Sequence, residues 1–139
     1  MKPISEHISY REATFSITAI KNGIENIPND NQLRNMQILA EAIFEPLRAG
    51  LGGKAIRISS FFRSAELNAI LKGAKNSQHL ANKGAAMDID TDNNREIFEY
   101  IRENLEFDQL IWEYGTDEEP DWVHVSYNKG HNRKQIIKL

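Results

Sequence analysis

Between Asn29 and Ala49 the chain carries Leu33, Met36, Ala40, Ile43, Phe44 and Leu47 at three- and four-residue spacing, the period of a helix with one apolar face. Asn29 and Gln32 stand as a capping-box pair at its start, and Gly50 marks its end. Pro46 is expected to bend the last turn, because it lacks an N–H and crowds the preceding turn. A stripe of that length must be buried against something. The segments after it are short and alternate with period two, which makes a sheet the partner.

Ala55 to Ser59 (AIRIS) reads as the first strand, with a turn at Phe61 to Arg63. Ser64 is a good N-cap for a short helix ending at Gly73. Ala74 to Gly84 has no periodicity and reads as a loop. Ala86 to Asp90 alternates again, and Thr91 or Asp92 is expected to cap a helix that turns Ile97, Phe98, Tyr100 and Ile101 inward. Two strands follow, Gln109 to Tyr114 and Trp122 to Tyr127, around the acidic loop GTDEEPD. Arg133 to Lys138 is expected to add an edge strand in which lysines protect the edge. Before the long helix, Ser9 and Glu12 have capping-box spacing for one helical turn, and mixed loop is expected up to Pro28. Helices first and neighbouring short strands later predict an α+β fold with a largely antiparallel sheet.

With 139 residues and no linker-like stretch, one domain over 1–139 with one site is expected. The 17 basic and 20 acidic side chains give a formal charge of -3, which argues against a dedicated nucleic-acid binder. No apolar run approaches a membrane span or a signal peptide, so the expectation is a monomer made in the cytoplasm without membrane association. The chain has no cysteine, which excludes thiol nucleophiles and Cys-ligated metal. Any metal must be held by His and carboxylates.

Their placement is uneven. His79 lies in the longest loop, Asp88 on the strand after it, and His124 in the middle of the apolar strand WVHVSY. Taken singly, His124 reads as a hydrogen-bonded histidine beside Trp122, His79 as a surface residue and Asp88 as a helix cap. Together, two histidines and a carboxylate from a loop and two strands form a set that leaves a fourth zinc position open. His7 and His131, near the termini in polar surroundings, read as surface residues.

Ser77-Gln78-His79 followed by Gly84-x-Ala86-x-Asp88 resembles the metal-binding signature of the M15 peptidases. That family includes zinc D-alanyl-D-alanine carboxypeptidases and dipeptidases and phage L-alanyl-D-glutamate endolysins. Every fixed position is kept, and two extra residues stand between His79 and Gly84, in LANK. Ile58 to Ser64 (ISSFFRS) is similar to the family's Ser-Gly-Tyr-Arg-Ser segment, and Asp121-Trp122-Val123-His124 to its acidic-x-x-His ending. The N-terminal third, with its long helix and EPLR segment, looks like the single-domain subgroup.

The resemblance implies the fold shared by these peptidases and the Hedgehog signalling domain, and zinc held by His79, Asp88 and His124. It further implies Asp121 as the general base and Arg63 as a substrate-binding arginine that also steadies developing negative charge. Ser77 is expected either to contact substrate or to hold the loop. A regular strand would turn Asp121 away from His124, so its role requires a loop or a bulge, for which Pro120 gives a reason. Glu113 is the competing carboxylate, expected to orient a ligand, while Glu118 and Glu119 read as solvated. Asp90 is expected to cap the following helix. The implied substrate is the peptidoglycan stem peptide, cut at D-Ala-D-Ala or at L-Ala-D-Glu. The alternative is a non-catalytic, metal-stabilised peptidoglycan-binding module of the same fold.

Overall fold

The computed structural model describes residues 1–139. Its sheet is built from β1 (Arg57–Ser60), β2 (Ala85–Asp90), β3 (Gln109–Glu113), β4 (Trp122–Tyr127) and β5 (Gln135–Lys138), in the order β1-β2-β4-β3-β5. Every pairing is antiparallel except β3 with β5, which is parallel. The mixed α+β architecture expected from the sequence is therefore present, with a parallel edge strand added.

The helices lie mainly against one face of this sheet. α3 (Asp30–Leu39) contacts β2 and β4, and α6 (Asn94–Asn104) contacts β3 and β4. Met36, Leu39, Ile43 and Leu47 from the long helical segment join Ile97 and Ile101 of α6 and Met87, Ile89, Leu110, Val123 and Val125 of the sheet in one core. Phe98 meets Trp112 edge to face at 5.2 Å between ring centroids. Each buried side chain of this size contributes about 1.5–3 kcal/mol, so the helix is fixed to the sheet through its stripe.

The long helix is not uniform. Its α-helical turns give way to a π-helical turn at Ala40–Phe44, where the Glu45 N–H reaches back to the Ala40 carbonyl, and α4 (Glu45–Gly50) resumes. Pro46 falls in the first turn of α4, directly after this wider turn, where its missing N–H breaks no helical bond. The Asn29–Gln32 capping box is complete, with both reciprocal bonds formed at 2.8 and 2.9 Å.

Four local expectations are corrected. The region before Pro28 is not all loop: besides α1 (Tyr10–Thr14), α2 (Ile17–Lys21) forms behind the Ser16 cap. The cap of α6 is Asn93, whose side chain accepts from the Glu96 N–H, rather than Thr91 or Asp92. Asp90 does not cap that helix, because its carboxylate pairs with Arg57 at 2.8 Å. The short helix after Ser64, α5, spans Ala65–Ile70 and stops before Gly73. No helix is long and apolar enough to cross a membrane.

Candidate active site

The sheet face away from the main helical layer carries the polar residues. Strand register aligns Ser60, Asp88, His124 and Ile111 across β1, β2, β4 and β3. Glu113, two residues after Ile111, pairs with Trp122, two residues before His124. Period-two alternation therefore puts Glu113, Trp122, His124 and Asp88 on one face.

His79 comes to this face from the preceding loop, which contains a 3-10 turn at Gln78–Leu80. The Ser77 hydroxyl accepts from the His79 N–H at 3.2 Å and caps that turn. The Arg63 N–H donates to the His79 carbonyl at 2.9 Å, tying the turn to the chain leaving β1. The LANK segment turns back toward β2 beyond His79. Ala81 takes a left-handed conformation (φ 58°), and its carbonyl accepts from the Asn35 side chain at 2.8 Å. Gly84 (φ 73°) then returns the chain to β2 so tightly that a Cβ would collide with the Tyr127 carbonyl oxygen.

His79, Asp88 and His124 meet at the centre, with one potential ligand atom from each lying within 4.8 Å of the others. His79 Nε2 is 3.4 Å and His124 Nδ1 is 3.0 Å from different oxygens of Asp88. His79 Nδ1 lies 2.7 Å from the Phe61 carbonyl oxygen. A carbonyl only accepts, so Nδ1 carries the proton and the Nε2 lone pair is left facing Asp88. Burial pushes the His79 pKa down, against the pull of Asp88, which favours the neutral imidazole a metal needs. Burial opposes the Asp88 charge, but the hydrogen bond with His124 prevails and its carboxyl is held well below the usual range. Two imidazoles and an ionised carboxylate, mostly buried, suit a divalent cation of zinc's preference.

The three residues open on a cavity of about 990 Å³. Arg63 lines it, with a guanidinium nitrogen 3.8 Å from Asp88 and its Nε donating to the Ser60 hydroxyl at 3.3 Å. Burial draws the Arg63 pKa down and Asp88 opposes that shift, and a guanidinium stays charged in either case. Ser77 also lines the cavity, but its hydroxyl is engaged in capping.

Asp121 is not brought to this site. It precedes β4, which begins at Trp122, and its N–H donates to the Glu113 carbonyl at 3.0 Å, one residue out of the β3–β4 register. It is exposed and does not line the cavity, whereas Glu113 does. Burial raises the Glu113 pKa, His124 lowers it, and Asp88 raises it further, leaving it above the usual glutamate range. Glu118 and Glu119 also stay outside the cavity, and Glu119 accepts from the Asn94 N–H at 2.7 Å at the start of α6.

Sequence reasoning missed one supporting group. Asp108 is almost fully buried beside the cavity and accepts from Gln78 at 2.9 Å, from Arg133 Nε and Nη2 at 2.9 Å each, and from the Arg133 N–H. Hydrogen bonds from Arg133 hold its carboxyl below the usual range against the opposing effect of burial. It joins the strap before β5 to the residue next to His79. His131 lies on the cavity wall as well. His7 is far in sequence from this set and pairs with Glu45 at 2.6 Å.

A sheet face with two histidines and an aspartate grouped together, a half-buried arginine and a glutamate of raised pKa defines a candidate metallohydrolase centre. The family model for peptidase M15 matches residues 6–126, and the chain belongs to that family. No curated protein matches it.

Proposed function

We propose that this chain is a zinc-dependent peptidase that hydrolyses amide bonds in peptidoglycan stem peptides. The observation that carries the reading is the convergence of His79, Asp88 and His124 with Glu113 on one wall of a single cavity. Zinc bound there would supply a Lewis acid for the scissile carbonyl and make a water nucleophilic near neutral pH.

The protein's own groups perform the remaining work. Phe61 fixes His79 in the tautomer that presents Nε2, and Asp88 supplies the negative charge of the ligand set. Glu113 takes the proton of the attacking water and delivers it to the leaving nitrogen. It replaces Asp121 in that role, because it shares the cavity and Asp121 does not. A carboxyl with raised pKa suits both halves of the transfer, being basic enough to accept and acidic enough to return the proton. Arg63 is placed to bind a substrate carboxylate or the developing oxyanion.

The test is to incubate purified peptidoglycan with zinc-loaded protein, with the Glu113→Gln variant and with chelator-treated protein, identifying new termini by mass spectrometry. Fragments from untreated wild type alone are expected, and their termini distinguish an endolysin-like endopeptidase from a D,D-carboxypeptidase. Stoichiometric zinc with no fragments would instead support a binding module.

A further inference from the structure

Charge around the cavity is unevenly satisfied. Among its acidic lining residues, Asp88 lies in the ligand set, Asp108 is paired with Arg133, and Glu113 is without an ion pair beside His124. Among its cations, Arg63 faces Asp88 and Arg133 is held by Asp108. Lys75 and Lys83 also line the cavity, and neither forms an ion pair or a side-chain hydrogen bond. They stand on either side of the turn that carries His79, Lys75 two residues before Ser77 and Lys83 next to Gly84. A chain of net charge -3 thus presents two unpaired ammonium groups beside its candidate metal centre.

We infer that Lys75 and Lys83 form an anion subsite, separate from Arg63, which binds a second carboxylate of the substrate next to the scissile bond. This deepens the peptidase reading and rests on it for the identity of the peptide. The chemical class is a peptide with an acidic side chain or a free α-carboxylate on a residue joined through its side chain. Two ammonium groups on one stretch of loop suit such a group, because each acts as a compact point charge on a flexible stem.

The test uses two acetylated peptides, L-Ala-γ-D-Glu-L-Lys with the glutamate α-carboxyl either free or amidated. Affinity for each is measured by calorimetry on the zinc-loaded, full-length Glu113→Gln protein, so that cleavage does not interfere. The free carboxylate is expected to bind at least about ten-fold more tightly at low salt, with the advantage shrinking as salt rises. Adding Lys75→Ala and Lys83→Ala should bring the ratio of the two affinities close to one. Adding Lys75→Glu and Lys83→Glu should reverse it. Lys21→Ala, a charge removed on α2 outside the cavity, should leave the ratio as it was. Equal affinities before the lysines are changed, or a preference that survives their loss, would overturn the inference. Wild-type hydrolysis of the same peptides is scored separately. Failure to cleave either peptide counts against the peptidase reading, while the affinity ratio still decides the subsite.

Discussion

Two clusters in this molecule place three His or carboxylate ligand atoms within 4.8 Å of one another: His79, Asp88 and His124, and Glu6, His7 and Glu45. They differ in which lone pairs their neighbours leave free. His79 donates Nδ1–H to a backbone carbonyl and keeps Nε2 open. His7 has both ring nitrogens engaged, Nδ1 with Glu45 at 2.6 Å and Nε2 with a guanidinium nitrogen of Arg48 at 3.1 Å. Glu45 is also occupied, accepting from the Ser5 hydroxyl and the His7 N–H. The Arg48 guanidinium bonds the His7 ring itself, whereas Arg63 at the first cluster lies 3.8 Å from Asp88 and bonds the Ser60 hydroxyl. Proximity of the right residue types is therefore not enough; a ligand set needs lone pairs left free by its neighbours and held in place by the backbone.

Changing the ligands should break that contrast most sharply. Asp88→Ala or His124→Ala is expected to lose stoichiometric zinc by elemental analysis and more than about a thousand-fold in kcat/KM. His7→Ala should keep both, at a stability cost of roughly 0.5 kcal/mol in a thermal melt, as for an exposed ion pair.

The next effect separates the two acids. Glu113→Gln should lower kcat by about 10²- to 10⁴-fold with zinc content retained, and Asp121→Asn should change kcat less than about three-fold. The sign of the pH dependence follows from the raised Glu113 pKa. A base acts only when deprotonated, so kcat/KM should fall on the acid side at a pH above the ordinary glutamate value of about 4.3. A limb at or below that value would contradict this environment for Glu113.

A smaller effect is expected at the support. Asp108→Asn removes the charge that holds Arg133 and leaves weaker bonds to Gln78, costing about 2 kcal/mol in denaturant unfolding. Arg133 is largely exposed and can recover water, which keeps the loss below that of a fully buried pair.

Much of this organisation is legible in the sequence, for physical reasons that differ by element. β4 has the bounds its alternation predicts, because Val123 and Val125 are fully buried while Trp122 and His124, alternating with them, line the cavity. The Asn29 cap is legible because both partners lie within one turn. α2 leaves little trace, since Ile17 and Ile20 are exposed and no apolar stripe marks the helix. The α6 cap is ambiguous because Thr91, Asp92 and Asn93 all suit the role, and only the chain path selects Asn93. The ligand set is marked by residue type and spacing, whereas the proton carrier is not. A sequence motif favours Asp121, but β4 begins only at Trp122, and Glu113 rather than Asp121 lines the cavity. The alternation of QLIWE already puts Glu113 and Ile111 on one face, but the register of β3 against β4 is needed to align them with His124. Asp108 and Arg133 are 25 residues apart and joined through tertiary folding, so no local spacing announces them.

The most direct test is anomalous diffraction at the zinc edge from crystals of the zinc-loaded protein. A single peak between His79 Nε2, Asp88 and His124, with Glu113 facing its open side, is the predicted result. A peak at His7 and Glu45, or one that persists in His124→Ala crystals at full occupancy, would contradict it.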